Sequence, residues 1–259
     1  MATFLFEDVI FGPVNSRRLG VSLGLNLVPV NRKVCTFNCI YCECGWTNDR
    51  HLPSDGFPSR ELIADSLEKK LRELRGGGLL PDALTYAGNG EPTLHPDFAG
   101  VIDDTIRIRD KYSPESKVVV LSNASLANRP GIREALARAD RNILKLDTGI
   151  EDTFQLLNQP PASISLKDII HNLKLFDRNL IIQTLFIRGS HKGAVIDNTT
   201  EEEIKALLSL YNEIMPDEIQ AYTIARDTPV TGLEKIPLPE LEAIAARIEE
   251  LGIETSVFG

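Results

Sequence analysis

Four closely spaced cysteines are the residues of this chain best suited to chemistry. All four fall within ten positions of the 259-residue sequence, in the segment CTFNCIYCEC at residues 35–44. Cys35, Cys39 and Cys42 form a CxxxCxxC pattern, and Cys44 follows two positions later. Such short spacings would close only small disulfide rings, so the pattern favours metal binding. Soft thiolates bind zinc, copper(I) or iron–sulfur clusters.

The number and spacing of the thiolates help to distinguish between these metals. A structural zinc site usually takes four ligands, often as two separated pairs, and this chain has no second pair. Cys44 could supply a fourth ligand, but one residue between Cys42 and Cys44 is an uncommon spacing for a closed tetrahedral site. Three thiolates would instead hold three irons of a cubane cluster. The fourth iron would then stay open, as a catalytic metal centre requires.

Predicted strands and helices alternate along the chain and would position this loop. Alternating strand–helix units form parallel sheets with right-handed crossovers, so we expect an open sheet or a partly closed barrel. Reactive groups then belong in the loops after the strands. The six predicted strands span residues 22–28, 82–87, 117–122, 142–147, 180–187 and 218–224. Predicted helices span residues 60–75, about 97–110 and 240–250, and further helices start after Pro130 and at residue 151. An apolar stripe from Leu166 to Phe176 predicts another helix. One more helix begins at Thr200, with Glu203 as its capping-box partner.

A second motif, YAGNGEP at residues 86–92, directly follows the second predicted strand. Its glycines would let the backbone approach a ligand closely. Backbone carbonyls at such a strand end can accept hydrogen bonds from an ammonium group. Glu91 could alternatively be an ordinary surface carboxylate, so the motif gains its meaning from its place one strand–helix unit after the cysteines.

The cysteine loop, with the aromatic Tyr41 before the third cysteine, resembles the signature of the radical S-adenosylmethionine (radical SAM) superfamily. The resemblance implies an α/β fold, a partial (βα)6 barrel of the radical SAM type. It also implies a [4Fe–4S] cluster whose unique iron binds the amino and carboxylate groups of S-adenosylmethionine. Electron transfer would cleave the sulfonium and release a 5′-deoxyadenosyl radical. We expect one radical SAM core domain over residues 1–259, with a short N-terminal extension of about residues 1–20.

Further segments resemble one subgroup, the stand-alone iron–sulfur oxidoreductases related to the radical enzymes of wybutosine (tRNA) biosynthesis. They cover almost the whole chain and comprise GPVNSRRLGVSLGLNLVP, GNGEPTLHPDF, LSNASL, LKLDTGIEDTF, QTLFIRG and the region around QAYTIARDTP. Cys44 departs from the subgroup pattern: it is a substrate-side thiol, a spare ligand or, as we favour, a passive small side chain. Because only Cys44 remains once three cysteines are used, the chain has too few for a second cluster. That shortage argues against a 4-demethylwyosine-type activity.

The resemblance also implies contacts with S-adenosylmethionine. The glycine-rich motif would contact the methionine amino group, and the end of the third strand would contact the ribose or the carboxylate, unless it is a plain turn. Asp147 would touch the ribose or the substrate, or else cap the helix from residue 151. Gln183 would face the cavity or satisfy a buried network. The expected cofactor contacts are Tyr41, Gly88, Asn89, Gly90, Glu91, Ser122, Asn123, Asp147 and Gln183, and the expected metal ligands are Cys35, Cys39 and Cys42.

Charge and composition restrict the partners. The net charge is −9, and an acidic chain is a poor general binder of nucleic acid, although a local basic patch leaves room for an RNA substrate. The longest apolar runs are too short to span a membrane, and the N-terminus does not resemble a secretory signal, so we expect a cytoplasmic protein. The adjacent Arg17 and Arg18 could bind phosphate or carboxylate, or pack at the bottom of the barrel. Thr223 and Arg226 follow the sixth strand, and Arg226 is a candidate substrate contact. The histidines, none paired at metal spacing, are His51, His95, His171 and His191.

The expected function is therefore that of a radical SAM oxidoreductase or modifying enzyme. It would reductively cleave S-adenosylmethionine and abstract hydrogen from an unidentified substrate, with an external one-electron donor of the flavodoxin or ferredoxin type. Two alternatives stay open. One is an activase that installs a glycyl radical on a partner protein, and the other is a non-catalytic zinc or iron–sulfur binding protein.

Overall fold

An eight-stranded sheet lies at the centre of the computed structural model, which describes residues 4–47 and 56–259. The strands of these residues are β1 (Ile10–Ser16), β2 (Gly20–Leu25), β3 (Ala83–Tyr86), β4 (Lys117–Ser122), β5 (Arg141–Lys145), β6 (Ile181–Leu185), β7 (Ile187–His191), β8 (Ala194–Asp197), β9 (Glu218–Tyr222), β10 (Leu233–Lys235) and β11 (Glu254–Phe258). Eight of them pair in the order β1-β2-β3-β4-β5-β6-β9-β11. β1 is antiparallel to β2, and all other neighbours in this sheet are parallel.

All six predicted strands occur, as β2, β3, β4, β5, β6 and β9. The two strands at the edges of the sheet were not predicted. β1 contains Gly12 and Pro13, which disturb its pattern, and proline is tolerated in an edge strand because its missing N–H is not needed there. β11 lies in the C-terminal segment after the last predicted helix. The segment expected as an N-terminal extension thus contributes β1 to the main sheet.

The two faces of the sheet have different surroundings. Alternate strand residues such as Leu84 and Val120 pack against the helices in one large hydrophobic core. The opposite face carries a separate small cluster formed by Ala83, Val119, Ile143 and Ile181. The edges of the sheet approach each other, since the turn between β1 and β2 donates a hydrogen bond from Arg17 to the Gly259 carbonyl after β11. The small cluster therefore lies inside a partly closed barrel.

The helices cover the outer face. They are α1 (Arg60–Gly76), α2 (Phe98–Tyr112), α3 (Pro130–Arg138), α4 (Glu151–Leu157), α5 (Leu166–Leu173), α6 (Glu201–Ile214) and α7 (Leu238–Glu249). Capping side chains fix several starts, as where Ser59 accepts a hydrogen bond from the Leu62 N–H at α1. In the part of the chain that the structure describes, we find no helix both long and apolar enough to cross a membrane.

The prediction of a capping box at α6 is wrong. Thr200 does cap the helix by accepting from the Glu203 N–H. The Glu203 carboxylate, however, accepts from the Thr148 hydroxyl at 2.6 Å and is buried. Because the buried Thr148 hydroxyl needs an acceptor, the Glu203 carboxylate turns towards it and away from the start of the helix.

A second, three-stranded sheet was also not predicted. β7 pairs with β8 and with β10, antiparallel in both cases. The predicted strand at residues 180–187 divides at Phe186, so that β6 stays in the main sheet and β7 leaves it. The strands of this small sheet are only three to five residues long, and they therefore lack the longer apolar run that identified the others.

Candidate functional site

The cysteine loop follows β2 and is joined to the YAGNGEP motif that follows β3. The Val34 N–H donates to the Asn89 carbonyl at 2.9 Å, and the Glu91 N–H donates to the Val34 carbonyl at 3.0 Å. These two bonds form a short parallel bridge between Val34 and Gly90. The two sequence motifs thus meet at the C-terminal edge of the parallel strands, where α/β barrels place their reactive groups.

The end of α4 holds the same loop from the other side. The Asn38 N–H donates to the Asn158 carbonyl, and the Ile40 N–H donates to the Leu157 carbonyl, both at 3.0 Å. The Cys39 side chain lies on the segment between these bonds and is 9% exposed. Backbone hydrogen bonds from two separate elements therefore fix the position of the cysteines.

Gly90 is required by the bridge itself, so replacing it by alanine is expected to destabilise the site. A Cβ at Gly90 would lie 1.8 Å from the Val34 carbonyl oxygen, which is backbone and cannot rotate away. We expect Gly90→Ala to lower the free energy of unfolding by about 1–3 kcal/mol, the usual range for overpacking. Urea denaturation measures the change, and iron content after anaerobic reconstitution measures the loss of loop geometry.

Gly76→Ala is the matched control, because no heavy atom lies within 4 Å of a Cβ at that helical position. Its expected effect is neutral or a slight stabilisation, since alanine is the better helix former. Equal stability of the two variants would contradict the role given to the bridge.

Glu91 connects the second motif to the end of β4. Its Oε1 accepts from the Thr93 hydroxyl at 2.6 Å and from the Ser122 hydroxyl at 2.7 Å, and its Oε2 accepts from the Asn123 N–H at 2.8 Å. The side chain is 2% exposed, and burial raises the pKa of the carboxyl above its ordinary value although these bonds oppose the shift. Glu91 is thus a buried carboxylate that hydrogen-bonds three other residues, and the alternative interpretation as a surface carboxylate is wrong.

Two asparagine amides donate towards cysteine sulfurs. Asn123 Nδ2 lies 3.6 Å from Cys35 Sγ, and Asn158 Nδ2 lies 3.5 Å from Cys39 Sγ. Burial raises the pKa of the Cys35 thiol to about 12, and burial likewise raises the pKa of the Cys39 thiol. Burial thus favours the neutral thiol at Cys35 and Cys39, whereas the two amides are donors that would stabilise either sulfur in its thiolate form.

Lys33 supplies positive charge beside the thiols and was not singled out from the sequence. Its Nζ donates to the Gly45 carbonyl at 2.7 Å, and the side chain is buried. Burial lowers the pKa of Lys33, but the charges of Cys42, Cys35 and Cys39 raise it more, and the pKa lies above its ordinary value. The spacing of Lys33 two positions before the first cysteine was the available signal.

Cys44 lies beside Cys42 and beside the second motif. Its Sγ is 3.1 Å from the Gly88 carbonyl oxygen, and it also hydrogen-bonds the Cys42 sulfur. This bond lowers the pKa of the Cys42 thiol to about 5 and raises the pKa of Cys44. Cys42 is therefore the most readily ionised of the thiols, whereas Cys44 keeps its proton and donates it in the hydrogen bond to Cys42.

Asp147 lies at the centre of a buried network behind the cysteine loop. It accepts a short hydrogen bond from the Tyr41 hydroxyl, one from Asn158 Nδ2 at 2.7 Å and one from the Leu185 N–H at 2.9 Å. Lys145 Nζ lies 3.3 Å from Oδ1 and forms an ion pair with it. Asp147 does not cap α4, whose start has no side-chain capping bond. Sequence reasoning missed Lys145 and Asn158, although Lys145 shares a strand face with Asp147 at the two-residue period.

The remaining predicted contacts are more distant from the cysteines or are engaged elsewhere. Gln183 is buried in β6 and donates to Gln220 at 3.2 Å, which agrees with the alternative of a buried network. The Asn89 amide bonds both backbone groups of Phe6 at 2.8 and 2.9 Å. Thr223 accepts from a backbone N–H at 2.9 Å. Arg226 reaches Glu43 of the cysteine loop at 2.7 Å in an exposed ion pair.

The contacts given for the described histidines are with residues other than the cysteines. His95 contacts the Pro58 carbonyl at 2.8 Å, and His191 stacks on Trp46 with ring centroids 5.8 Å apart. His171 is in the last turn of α5. His51 lies outside the described residues.

A comparison with protein-family models gives the decisive observation. Residues 33–211 match the model described as the Radical SAM superfamily, which is more than half of the chain. The chain belongs to the radical SAM superfamily. This membership confirms the family, the enzyme class and the two cofactors that the sequence predicted, since members use a [4Fe–4S] cluster and S-adenosylmethionine.

Curated relatives of this radical SAM chain are similar over most of its length. A UPF0026 protein of Synechocystis is 31% identical over 85% of this chain and 77% of the relative. A UPF0026 protein of Methanocaldococcus jannaschii is 31% identical over 84% of this chain and 64% of the relative. A GTPase Obg of Brachyspira hyodysenteriae is 31% identical over 85% of this chain, and the match covers only 30% of that protein.

Solved structures show the same fold at low sequence identity. A radical SAM methyltransferase from Sphaerobacter thermophilus has a TM-score of 0.66, with 14% identity over 92% of this chain and 65% of that chain. An archaeal TYW1 has a TM-score of 0.54, with 16% identity over 88% of this chain and 71% of that chain. These likenesses confirm the predicted partial barrel of the radical SAM type.

The cysteine side chains also bear on the alternative of a single metal ion. Among residues 4–47 and 56–259, no group of three or more His, Cys, Asp or Glu side chains is placed to hold one metal ion. A cluster with several irons takes each thiolate at a different iron, and hydrogen bonds to the sulfurs tune it.

Proposed function

We propose that this chain cleaves S-adenosylmethionine reductively and uses the 5′-deoxyadenosyl radical to abstract hydrogen from a substrate. The observation that supports this most directly is the Val34–Gly90 bridge, because it joins the CxxxCxxC loop to the GNGEP segment at one edge of the barrel. We also propose that residues 1–259 form one radical SAM core domain, to which β1 belongs.

We propose that the [4Fe–4S] cluster is held by Cys35, Cys39 and Cys42. When bound, the cluster supplies the electron for cleavage of the sulfonium. The protein's part is electrostatic and geometric. The amides of Asn123 and Asn158 donate to two of the sulfurs, and Lys33 places a buried positive charge beside the third. These groups would offset the negative charge of three thiolates in a site with little water.

We propose two kinds of role for the residues expected near S-adenosylmethionine. The Gly90 carbonyl is the proposed acceptor for an ammonium, since the carbonyls of Gly88 and Asn89 already accept from Cys44 Sγ and from the Val34 N–H. The side chains of Asn89, Glu91 and Asp147 are fully engaged with protein groups, so these residues position their neighbours. The other proposed contacts are Tyr41, Ser122, Asn123 and Gln183.

We propose a flavodoxin-type or ferredoxin-type protein as the electron donor and an unidentified molecule as the substrate. The barrel interior is the space that this substrate would occupy, because helices cover the outer face of the sheet.

The direct test is cleavage of S-adenosylmethionine by the anaerobically reconstituted protein. With a strong reductant, we expect release of 5′-deoxyadenosine and methionine in equal amounts, measured by chromatography and mass spectrometry. The same mixture without reductant is the control and should release neither. A protein that carries a complete cluster but leaves S-adenosylmethionine intact under every reductant would contradict the proposed function.

A further inference from the structure

A cavity of about 360 Å³ lies inside the barrel, at the end away from the cysteine loop. It is lined by the first residues of several parallel strands, among them Lys117, Arg141 and Glu218, and by Arg18 in the turn between β1 and β2. Cavities of this size hold small molecules or parts of them. Its polar lining therefore indicates what kind of group it would bind.

Two guanidinium nitrogens that belong to this lining have no hydrogen-bond acceptor. They are Arg18 Nη1 and Arg141 Nε, and both are buried without a partner among the described residues of the chain. A buried charged donor without an acceptor destabilises the protein more than a neutral one does. Native proteins leave few such donors, and two on one cavity point to an acceptor that enters it.

Nearby carboxylates are already engaged. Glu218 accepts from Arg141 Nη2 at 2.5 Å through one oxygen and from Gln220 at 3.2 Å through the other. Asp82 accepts from the Val21 N–H at 2.7 Å. Among the described residues, Glu218 bonds Arg141 only through Nη2, so Arg18 Nη1 and Arg141 Nε remain as unused donors. Glu254 also lines the cavity, so three carboxylates balance Arg18, Lys117 and Arg141, and an entering anion would bind through the two unused donors.

The cavity is linked to the cysteine loop through one aromatic residue. The Arg18 guanidinium lies over the Tyr222 ring at 4.7 Å from its centroid. The Tyr222 hydroxyl accepts from Lys145 Nζ at 2.6 Å, and Lys145 pairs with Asp147 of the network behind the cysteines. Arg18 therefore connects the cavity, through Tyr222 and Lys145, to the network behind the cysteine loop.

We propose that this cavity binds an anionic group of the substrate, a carboxylate or a phosphate, through Arg18 with support from Arg141. The planar guanidinium presents paired donors that match both groups, and Arg18 has a donor to spare. That the anionic group belongs to the substrate rests on the proposed function, whereas anion binding in the barrel rests only on the cavity and its donors.

The experiment measures binding of inorganic phosphate and of acetate to the anaerobically reconstituted protein by calorimetry, at constant ionic strength set with chloride. Arg18→Gln should weaken binding at least about tenfold, the effect of losing one charge-assisted hydrogen bond. Arg18→Lys keeps the charge but loses the fork and should give an intermediate affinity. Arg107→Gln is the matched control, because Arg107 is exposed on α2 and pairs only with Asp104 at 3.2 Å among the contacts described.

Binding of acetate but not phosphate would identify a carboxylate, and the reverse would identify a phosphate. No binding of either anion at millimolar concentrations would overturn the inference. So would equal affinities in the wild type, Arg18→Gln and Arg18→Lys, with circular dichroism showing that the variants are folded. Cleavage of S-adenosylmethionine by the wild type is measured separately, so a failure of the proposed function is distinguished from a failure of anion binding.

Discussion

Cys39→Ser is expected to reduce iron and acid-labile sulfide to near zero and to abolish release of 5′-deoxyadenosine. Serine offers a hard oxygen with a high pKa where the cluster needs a soft thiolate. The substitution is nearly isosteric, and the loop keeps its backbone bonds to the end of α4, so the fold should survive. Iron and sulfide assays after anaerobic reconstitution, with circular dichroism as the check of folding, measure the effect.

Cys44→Ser is the matched control from the same loop. Three thiolates suffice for an open cluster, so this variant should keep its iron and its cleavage of S-adenosylmethionine. It removes the thiol beside Cys42 and Gly88, and the pKa of Cys42 should rise as that hydrogen bond weakens. Loss of the cluster in Cys44→Ser, with retention in Cys39→Ser, would show that the ligand set is assigned wrongly.

Asp147→Asn is expected to lower the free energy of unfolding by about 3–5 kcal/mol, because it leaves a buried lysine without its counter-charge. The Asp147 side chain has no exposed surface, and that of Lys145 is 18% exposed, so water compensates little. The NH2 group of the new amide also faces a group that itself donates, Asn158 Nδ2 in one orientation and the Leu185 N–H in the other. Urea denaturation followed by circular dichroism measures the change.

Asp103→Asn is the control for this prediction. Asp103 pairs with Arg138 at 3.2 Å, but both side chains are about half exposed, and such surface pairs contribute at most about 1 kcal/mol. If the two aspartate variants lose equally little stability, the network around Asp147 does not stabilise the barrel. The network would then matter only for the placement of Tyr41.

The elements that carry strong local patterns were predicted well. The stripe of α1 and the apolar runs of β4 and β6 depend on burial against one neighbouring layer, and that burial imposes a visible period. β1, β11 and the small sheet of β7, β8 and β10 lack such a period, because their residues are mostly exposed or only partly buried. Their pairing depends on which edges the folded barrel leaves available.

The candidate site divides in the same way. The cysteine spacing and the GNGEP segment were visible because the chemistry of thiolates and the freedom of glycine are local properties. The sequence predicted that Gly90 lets the backbone approach a ligand. In the structure, Gly90 instead makes room for the backbone carbonyl of Val34. Asn158 and Lys145 carried no local signal, since an amide or an amine gains its role only from what lies opposite to it.

The sequence alone determined the kind of chemistry, because ligand type and spacing are written in ten consecutive residues. It also determined the alternation of strands and helices, which allows few topologies. Only the tertiary structure decided which side chains serve the cysteines and which donors face the barrel without an acceptor. Those facts depend on contacts between residues far apart in the chain, such as Asn158 with Cys39 and Arg18 with Tyr222, and burial sets their energies.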